Sequence, residues 1–408
     1  MMRLVPDGEC RPAIPTGLAT LAKKVFDGED LTALNWQLIE RMVKEPPDAA
    51  VLMDLSIIEQ LIGNPADARA LQAQALEVGR LYRRPASGAT GEKLRLLAFL
   101  APGDFMANTP LEFLLDGSGV TLDMLYVLPG QALPDELPDH DIAFVAVGES
   151  DDNRAVLAEL GHLVLSWPRP VLNRPERIAR LSRNGAWELL KAAPGIAIPM
   201  TARLARAELL RLARSEIPID AILEAGAFPI IARPIGSHAG QGLTKLDDAG
   251  AIETYLSDRP EQEFFIARFI DYRSRDGLFR KSRIALVGGV PHISHMAISD
   301  HWMIHYLNAG MRDSAEKRAE EARFMADFDG DFARRHATAF KELAELVGLD
   351  YFAIDCGETQ DGKLLLFEVD VAMIVHSMDP PGLFPYKQNH MRKLFDSFQA
   401  LLHGNALK

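Results

Sequence analysis

The chain has 408 residues, a formal net charge of −13, 48% hydrophobic and 25% charged residues, so it exceeds the ~250–300 residues of a single core and is too apolar for disorder. The acidic balance, with no long run of Lys and Arg, argues against nucleic acid and anionic membranes as partners. No apolar run reaches the ~18–20 residues of a membrane helix and the N-terminal stretch lacks a signal-peptide pattern, so a cytoplasmic protein is expected. From about Thr16 to Tyr82 apolar residues recur at helical spacing, and Gly63, Asn64 and Pro65 separate two helices. This pair is loosely similar to a tetratricopeptide-type hairpin, but one pair is too few for a solenoid. The expectation is an all-α N-terminal extension over 1–90, with Arg83 to Lys93 as linker.

Next come buried-strand runs, "LRLLAFL", "LDMLYVL", "IAFVAVG" and "HLVLSW", with Asn108 and Thr109 as caps for a helix beginning at Pro110 and a helical "NRAVLAELG" before the last run. That alternation predicts a parallel α/β domain over 91–175. Beyond Arg183 the pattern is mixed α+β: a helix in "GAWELLKAAPG", hairpins with glycine turns, and a charged helical region from Ser314 to Val347 ended by Gly348. Cys10 and Cys356 are far apart and lack metal-ligand spacing, so neither a disulfide framework nor a zinc site is expected.

Three stretches carry chemistry. "FPIIARPIGSHAGQGLTKL" matches neither the dinucleotide nor the Walker glycine pattern, because a strand follows the loop. Gly236, Gly240 and Gly242 can still turn several N–H groups onto an anion, with the Ser237 hydroxyl and the Arg233 guanidinium as further donors. A plain surface hairpin is the competing reading. In "YFAIDCGETQDGKLLLFEVDVAM", a two-residue turn at Asp361-Gly362 would set Asp355 opposite Glu368, with Asp370 on the same face. Facing carboxylates on an apolar hairpin repel. A Mg²⁺ ion shared with phosphate oxygens would compensate them. In "FRKSRIALVGGVPHISHMA", Gly288-Gly289 makes another turn, and Arg283 at the start of its first strand is suited to a transferring phosphoryl group.

Together these stretches resemble the ATP-grasp superfamily, in particular its glutathione synthetase-like and RimK-type ligases, over roughly Leu94 to Leu402. The resemblance implies a pre-ATP-grasp α/β domain followed by a two-subdomain ATP-grasp fold over 176–408, with a lid subdomain at about 200–268, and an ATP- and Mg²⁺-dependent ligase joining a carboxylate to an amine or thiol through an acyl phosphate. It implies that Asp355, Glu368 and Asp370 hold two Mg²⁺, that Arg283 contacts the γ-phosphate, and that "IARFID" is the hinge, with Arg268, Phe269 and Ile270 toward adenine and Asp271 toward ribose. Arg183 and Arg233 stand where the family has lysines, and Asp370 where it has asparagine. His376, Asp379 and Lys387 lie in an unusual segment after the metal motif and are candidates for the acceptor site, with capping and turn roles as the alternative.

The implied partners are small-molecule or peptide carboxylates and amines, and the N-terminal helices are a candidate surface for a homo-oligomer or a protein partner. Two rivals stay open: a phosphotransferase on the same fold, and a nucleotide-binding adaptor recruiting a partner through those helices. "HWMIH" could put two imidazoles on one helical face, but it lacks the glutamate of HExxH and any cysteine partner.

Overall fold

The seven-residue run Leu94–Leu100 has every side chain buried except Arg95, which suits a strand covered on both faces. The computed structural model describes residues 3–6, 9–44, 48–88, 94–224, 226–237 and 240–406. Within it the chain divides into two units. One comprises residues up to Ala179 with Leu349–Phe352 and from Val371 onward; the other comprises Arg180–Gly348 with Ala353–Asp370. Among the described residues no helix is long and apolar enough to cross a membrane.

The first unit carries β1 (Arg3–Val5), β2 (Leu81–Arg84), β3 (Leu94–Leu100), β4 (Val120–Tyr126), β5 (Glu136–Pro138), β6 (Ile142–Val145) and β7 (Val171–Leu172). Its main sheet has the order β2-β4-β3-β6-β7, parallel within β4-β3-β6-β7 and antiparallel at the β2 edge. A separate parallel pair joins β1 to β5. The N-terminal segment is therefore not purely helical, since β1 and β2 both pair with strands beyond it. Charge hid β2. In "LYRR" Arg83 faces Asp123 across the ladder and binds it at 2.6 and 2.9 Å, so a polar-looking tetrapeptide completes a sheet.

Helices Leu18–Phe26, Thr32–Lys44, Ala49–Leu61 and Pro65–Val78 fill the rest of that segment. The third is capped by the Asp48 side chain and is buried over most of its length. Two carboxylates, one buried and one half-buried, fasten the start of the first of these helices: Asp54 accepts from the backbone N–H of Thr16 and Gly17 at 2.7 and 3.0 Å. Glu112 accepts from Leu18 and Ala19, both at 3.2 Å.

Two local expectations change. "HLVLSW" completes a helix, Arg154–Leu163, followed by one tight turn through Ser166, and the next strand is β7. A short apolar run fits either state, and here Val164 and Trp167 are buried from a helical end, the Trp167 indole N–H lying 3.0 Å from His140 Nε2. Asn108 and Thr109 tie the chain to the sheet through Ala101 and Ala146 rather than capping a helix, and the helix that follows is only Leu111–Leu114.

The second unit holds β8 (Ile196–Ala197), β9 (Thr201–Ala205), β10 (Ile230–Pro234), β11 (Thr244–Leu246), β12 (Glu263–Arg268), β13 (Phe279–Val287), β14 (Val290–Ser299), β15 (Tyr351–Glu358, whose first two residues belong to the first unit) and β16 (Leu364–Asp370). An antiparallel sheet β11-β10-β12-β9 buries Ile230, Ala232, Phe264 and Ile266 against Leu209 and Leu256 of two helices. A five-stranded sheet runs β14-β13-β15-β16-β8. The charged region 314–347 is three helices, Ala315–Asp327, Phe332–Arg335 and Ala337–Val347. Ser314 caps the first, and Gly348, left-handed at φ 63°, ends the last.

Candidate functional site

The register of β15 and β16 decides where the carboxylates stand. The turn between them is not the two-residue Asp-Gly turn: Thr359 and Lys363 close it, its Gly362 is left-handed at φ 80°, and three residues occupy the tip. Alone, that change would move Glu368 away from Asp355. A bulge restores the pairing, because Cys356 pairs with Leu366 while Asp355 pairs with Glu368, leaving Phe367 as the extra residue. Asp355 therefore faces Glu368, and Asp370, opposite Ala353, lies two residues further along the same face.

Both facing carboxylates are held by cations. Arg283 grips Asp355 with two nitrogens at 2.8 and 3.1 Å, and Lys281 adds a third contact at 2.9 Å. Arg183, at the start of helix Arg183–Leu190, binds Glu368 at 2.6 Å and the Phe367 carbonyl at 3.3 Å. Burial pushes the Asp355 carboxyl up, yet Arg283 and Lys281 outweigh it and hold the group well below the usual range. Burial likewise opposes ionisation of Glu368, and Arg183 with Arg233 keeps it low. Arg283 lies in mid-strand, since β13 begins at Phe279, and its turn at Gly288-Gly289 has both glycines left-handed at φ 56° and 81°.

The glycine loop joins β10 to β11 in an antiparallel hairpin. Arg233 is 9% exposed. Its guanidinium turns back onto the Ser237 hydroxyl at 3.1 Å and onto the Ser237 carbonyl. Burial, then the charge of Arg183, brings Arg233 down to about 10, with Glu368 pulling the other way. Gly236, Gly240 and Gly242 are left-handed, at φ 72°, 77° and 67°, as a loop that turns its N–H groups inward requires. The loop residues His238 and Ala239 lie outside the described residues. At Gly242 a Cβ would also come 2.7 Å from the Pro234 ring.

At the hinge, Arg268 ends β12 opposite Ile230 and Ile270 is half-buried. Phe269 packs edge-on to Trp302 at 5.7 Å, under the Lys245 ammonium at 5.1 Å. Asp271 is gripped by Arg273 at 3.0 Å and shorter. "HWMIH" forms no helix, so no imidazole pair is built there. His305 instead lies near Lys281 and Arg283. Burial, then those two charges, lowers its basicity and favours the neutral ring. Of the acceptor candidates, Lys387 and Asp379 form a buried pair at 2.9 Å, and His376 packs near Phe26 and Phe113.

Lys281 and His305 are the site members that sequence reading missed. Lys281 was legible in principle, because the Lys-x-Arg alternation in "FRKSR" places 281 and 283 on one strand face. Among the described residues no three His, Cys, Asp or Glu side chains make a ready metal cage. The donor set instead fits the way Mg²⁺ binds alongside nucleotide, through one or two carboxylates completed by phosphate oxygens and water.

No family model matches the chain. Solved structures to which it is similar include the VanG D-Ala:D-Ser ligase from Enterococcus faecalis, at 13% identity over 76% of this chain and 100% of that one, TM-score 0.45. A RimK domain ATP-grasp protein from Sphaerobacter thermophilus matches at 17% identity over 77% and 100%, TM-score 0.41. The D-alanine–D-alanine ligase from Bacillus anthracis, complexed with ATP, matches at 14% identity over 77% and 97%, TM-score 0.45.

Proposed function

We propose that this chain is an ATP- and Mg²⁺-dependent ligase of the ATP-grasp type, joining a carboxylate to an amine. The observation that carries the reading is the convergence of Arg183, Arg233, Lys281 and Arg283 on the facing pair Asp355 and Glu368, beside a loop of three left-handed glycines. So many cations around so few carboxylates suit a polyphosphate, which brings more negative charge than the pair offers.

In this reading the glycine-loop N–H groups and Arg233 hold the β- and γ-phosphates, and Arg183 and Arg283 release their carboxylate partners to bind phosphate oxygens. Asp355, Glu368 and Asp370 would hold Mg²⁺, which supplies positive charge against the phosphates when ATP is bound. Phe269 faces the base and Asp271 the ribose. The substrate carboxylate takes the γ-phosphoryl group and ADP leaves; the amine nitrogen then attacks the acyl carbon, the C–O bond to phosphate breaks, and the nitrogen loses a proton. His305, favoured as the neutral ring, is the base at hand for that proton. The chain supplies position and charge, so no side-chain nucleophile is needed.

The test is calorimetric titration of Mg²⁺-ATP into the wild type and into Glu368→Ala, then phosphate release measured over carboxylate and amine pairs. Magnesium-dependent binding lost in the variant, with phosphate release that requires both substrates, supports the ligase. Phosphate transferred to a hydroxyl without ligation would replace it with a phosphotransferase. Binding without turnover in any pair would favour the adaptor.

A further inference from the structure

Helix Ala315–Asp327 carries charge along most of its length and buries two side chains, Met325 and, one turn earlier, Glu321. Glu321 is 0% exposed, and no step of the ligase reading uses it. A methionine or leucine would suffice to pack the inner face of such a helix, whereas a carboxylate taken out of water is costly unless hydrogen bonds receive it. Where its bonds go therefore bears on what it does.

One bond comes from the Met296 N–H at 3.0 Å. β14 is the outer strand of its sheet, so this donor points off the edge and the helix closes it. The other comes from the Tyr306 hydroxyl, 3.0 and 3.3 Å from the two carboxylate oxygens. Tyr306 belongs to the segment 300–309 between β14 and this helix, and that segment meets each part of the proposed nucleotide site in turn. The Tyr272 hydroxyl, next to the hinge, donates to the Trp302 carbonyl at 2.6 Å, where the indole is edge-on to Phe269. Met303 lies against the glycine loop, since a Cβ on Gly240 would come 3.3 Å from its sulfur. His305 feels the charges of Lys281 and Arg283, and the Tyr306 ring lies 4.5 Å from that of His295, which stands opposite Arg283 in the ladder. Apart from one tight turn at Tyr306–Asn308 the segment has no regular structure, so its backbone is placed by such ties rather than by a ladder.

We propose that Glu321 is a positioning residue of the nucleotide site: through the Tyr306 hydroxyl it holds residues 302–305 in place between the hinge, the glycine loop and Arg283. The proposal rests on the ligase reading for where base and phosphates lie, and adds a residue that touches neither.

The experiment pairs amide hydrogen exchange with calorimetric titration of Mg²⁺-ATP, on the full chain and on its Tyr306→Phe, Glu321→Ala and Glu321→Gln variants. Phenylalanine removes one hydroxyl and leaves the helix and its bond from Met296 in place. Exchange over residues 300–309 should quicken roughly ten-fold in Tyr306→Phe, the worth of one hydrogen bond to a charged acceptor, while residues 315–327 exchange as in the wild type. Mg²⁺-ATP should bind about five- to ten-fold more weakly to Tyr306→Phe and Glu321→Ala. Glutamine can accept the Met296 N–H through its oxygen and meet the Tyr306 hydroxyl with its amide, so Glu321→Gln should restore ATP affinity to within about two-fold. A carboxylate that only packs the helix gives the opposite split, with Glu321→Ala melting lower while Tyr306→Phe keeps wild-type ATP affinity. That result, or unchanged exchange over 300–309 in Tyr306→Phe, would overturn the proposal. A wild type that binds no Mg²⁺-ATP removes the ligase reading and the proposal with it, whereas wild-type binding that all three variants keep removes the proposal alone.

Discussion

Replacing Arg233 by methionine should cost the free protein less than its two lost hydrogen bonds are worth, while weakening its hold on ATP. Arginine ordinarily titrates above ~12; burial beside Arg183 brings Arg233 to about 10. At 1.36 kcal/mol per pH unit that fall is roughly 3 kcal/mol against carrying the charge. Methionine removes that penalty and fills much of the same space. It also loses the two contacts from the charged guanidinium to Ser237, ~1.5–3 kcal/mol each, while the Ser237 hydroxyl keeps its bond to the Pro234 carbonyl at 2.8 Å. The balance lies between about zero and a loss of ~3 kcal/mol, because relief of the burial penalty offsets half or more of the lost contacts. Urea unfolding measures the first effect. Calorimetric titration with Mg²⁺-ATP measures the second, expected as a ten- to hundred-fold loss from one missing charge-assisted contact, on the order of 1.5–3 kcal/mol. A variant less stable by well over ~3 kcal/mol, with unchanged ATP affinity, would refute the reasoning and make Arg233 a structural residue.

Asp355→Asn should lose ~3–5 kcal/mol in urea unfolding, because it strands Lys281 and Arg283 with side chains 16% and 18% exposed. The pH dependence has a definite sign. Asp355 titrates below its unfolded value, so its contribution is complete above pH ~4 and is lost as pH falls through the native titration point. The stability gap between wild type and Asp355→Asn should therefore be equal at pH 7 and pH 5 and shrink only in stronger acid; shrinkage between 7 and 5 would contradict the ion-pair assignment. Gly242→Ala should lose ~1–3 kcal/mol, from left-handed strain and the Pro234 ring, and raise the apparent Kd for ATP. Gly236→Ala meets open space and should lose only the backbone share, about 1 kcal/mol.

Strand-forming runs with a clear period were legible: β3, β10, β15 and β16 stand where the apolar pattern put them. Elements whose inward residues are charged were not, as β2 shows, because Arg83 pairs with an aspartate from another strand that no local pattern reveals. The facing of Asp355 and Glu368 was anticipated from a two-residue turn. The actual tip has one residue more, and the Phe367 bulge takes up the difference, so the outcome was readable while its cause was not. Residues approached across sheets were hidden too: Lys281 had no visible partner until β13 was seen beside β15, and the surroundings of His305 depend on the fold of the loop that carries it.

The clasp on residues 16–19 is made mostly of main-chain donors received by Asp54 and Glu112, joined by the Thr16 side chain, and a peptide N–H is nearly the same whatever letter stands above it. The sequence of that joint can thus drift while the joint persists, and the helices it fastens could be exchanged for others of different composition without losing their mooring. One letter is not free. At Gly17 the backbone turns left-handed, φ 86°, and a Cβ would fall 2.5 Å from Glu112 Oε2. A spelling change there would close the very acceptor that holds the segment in place.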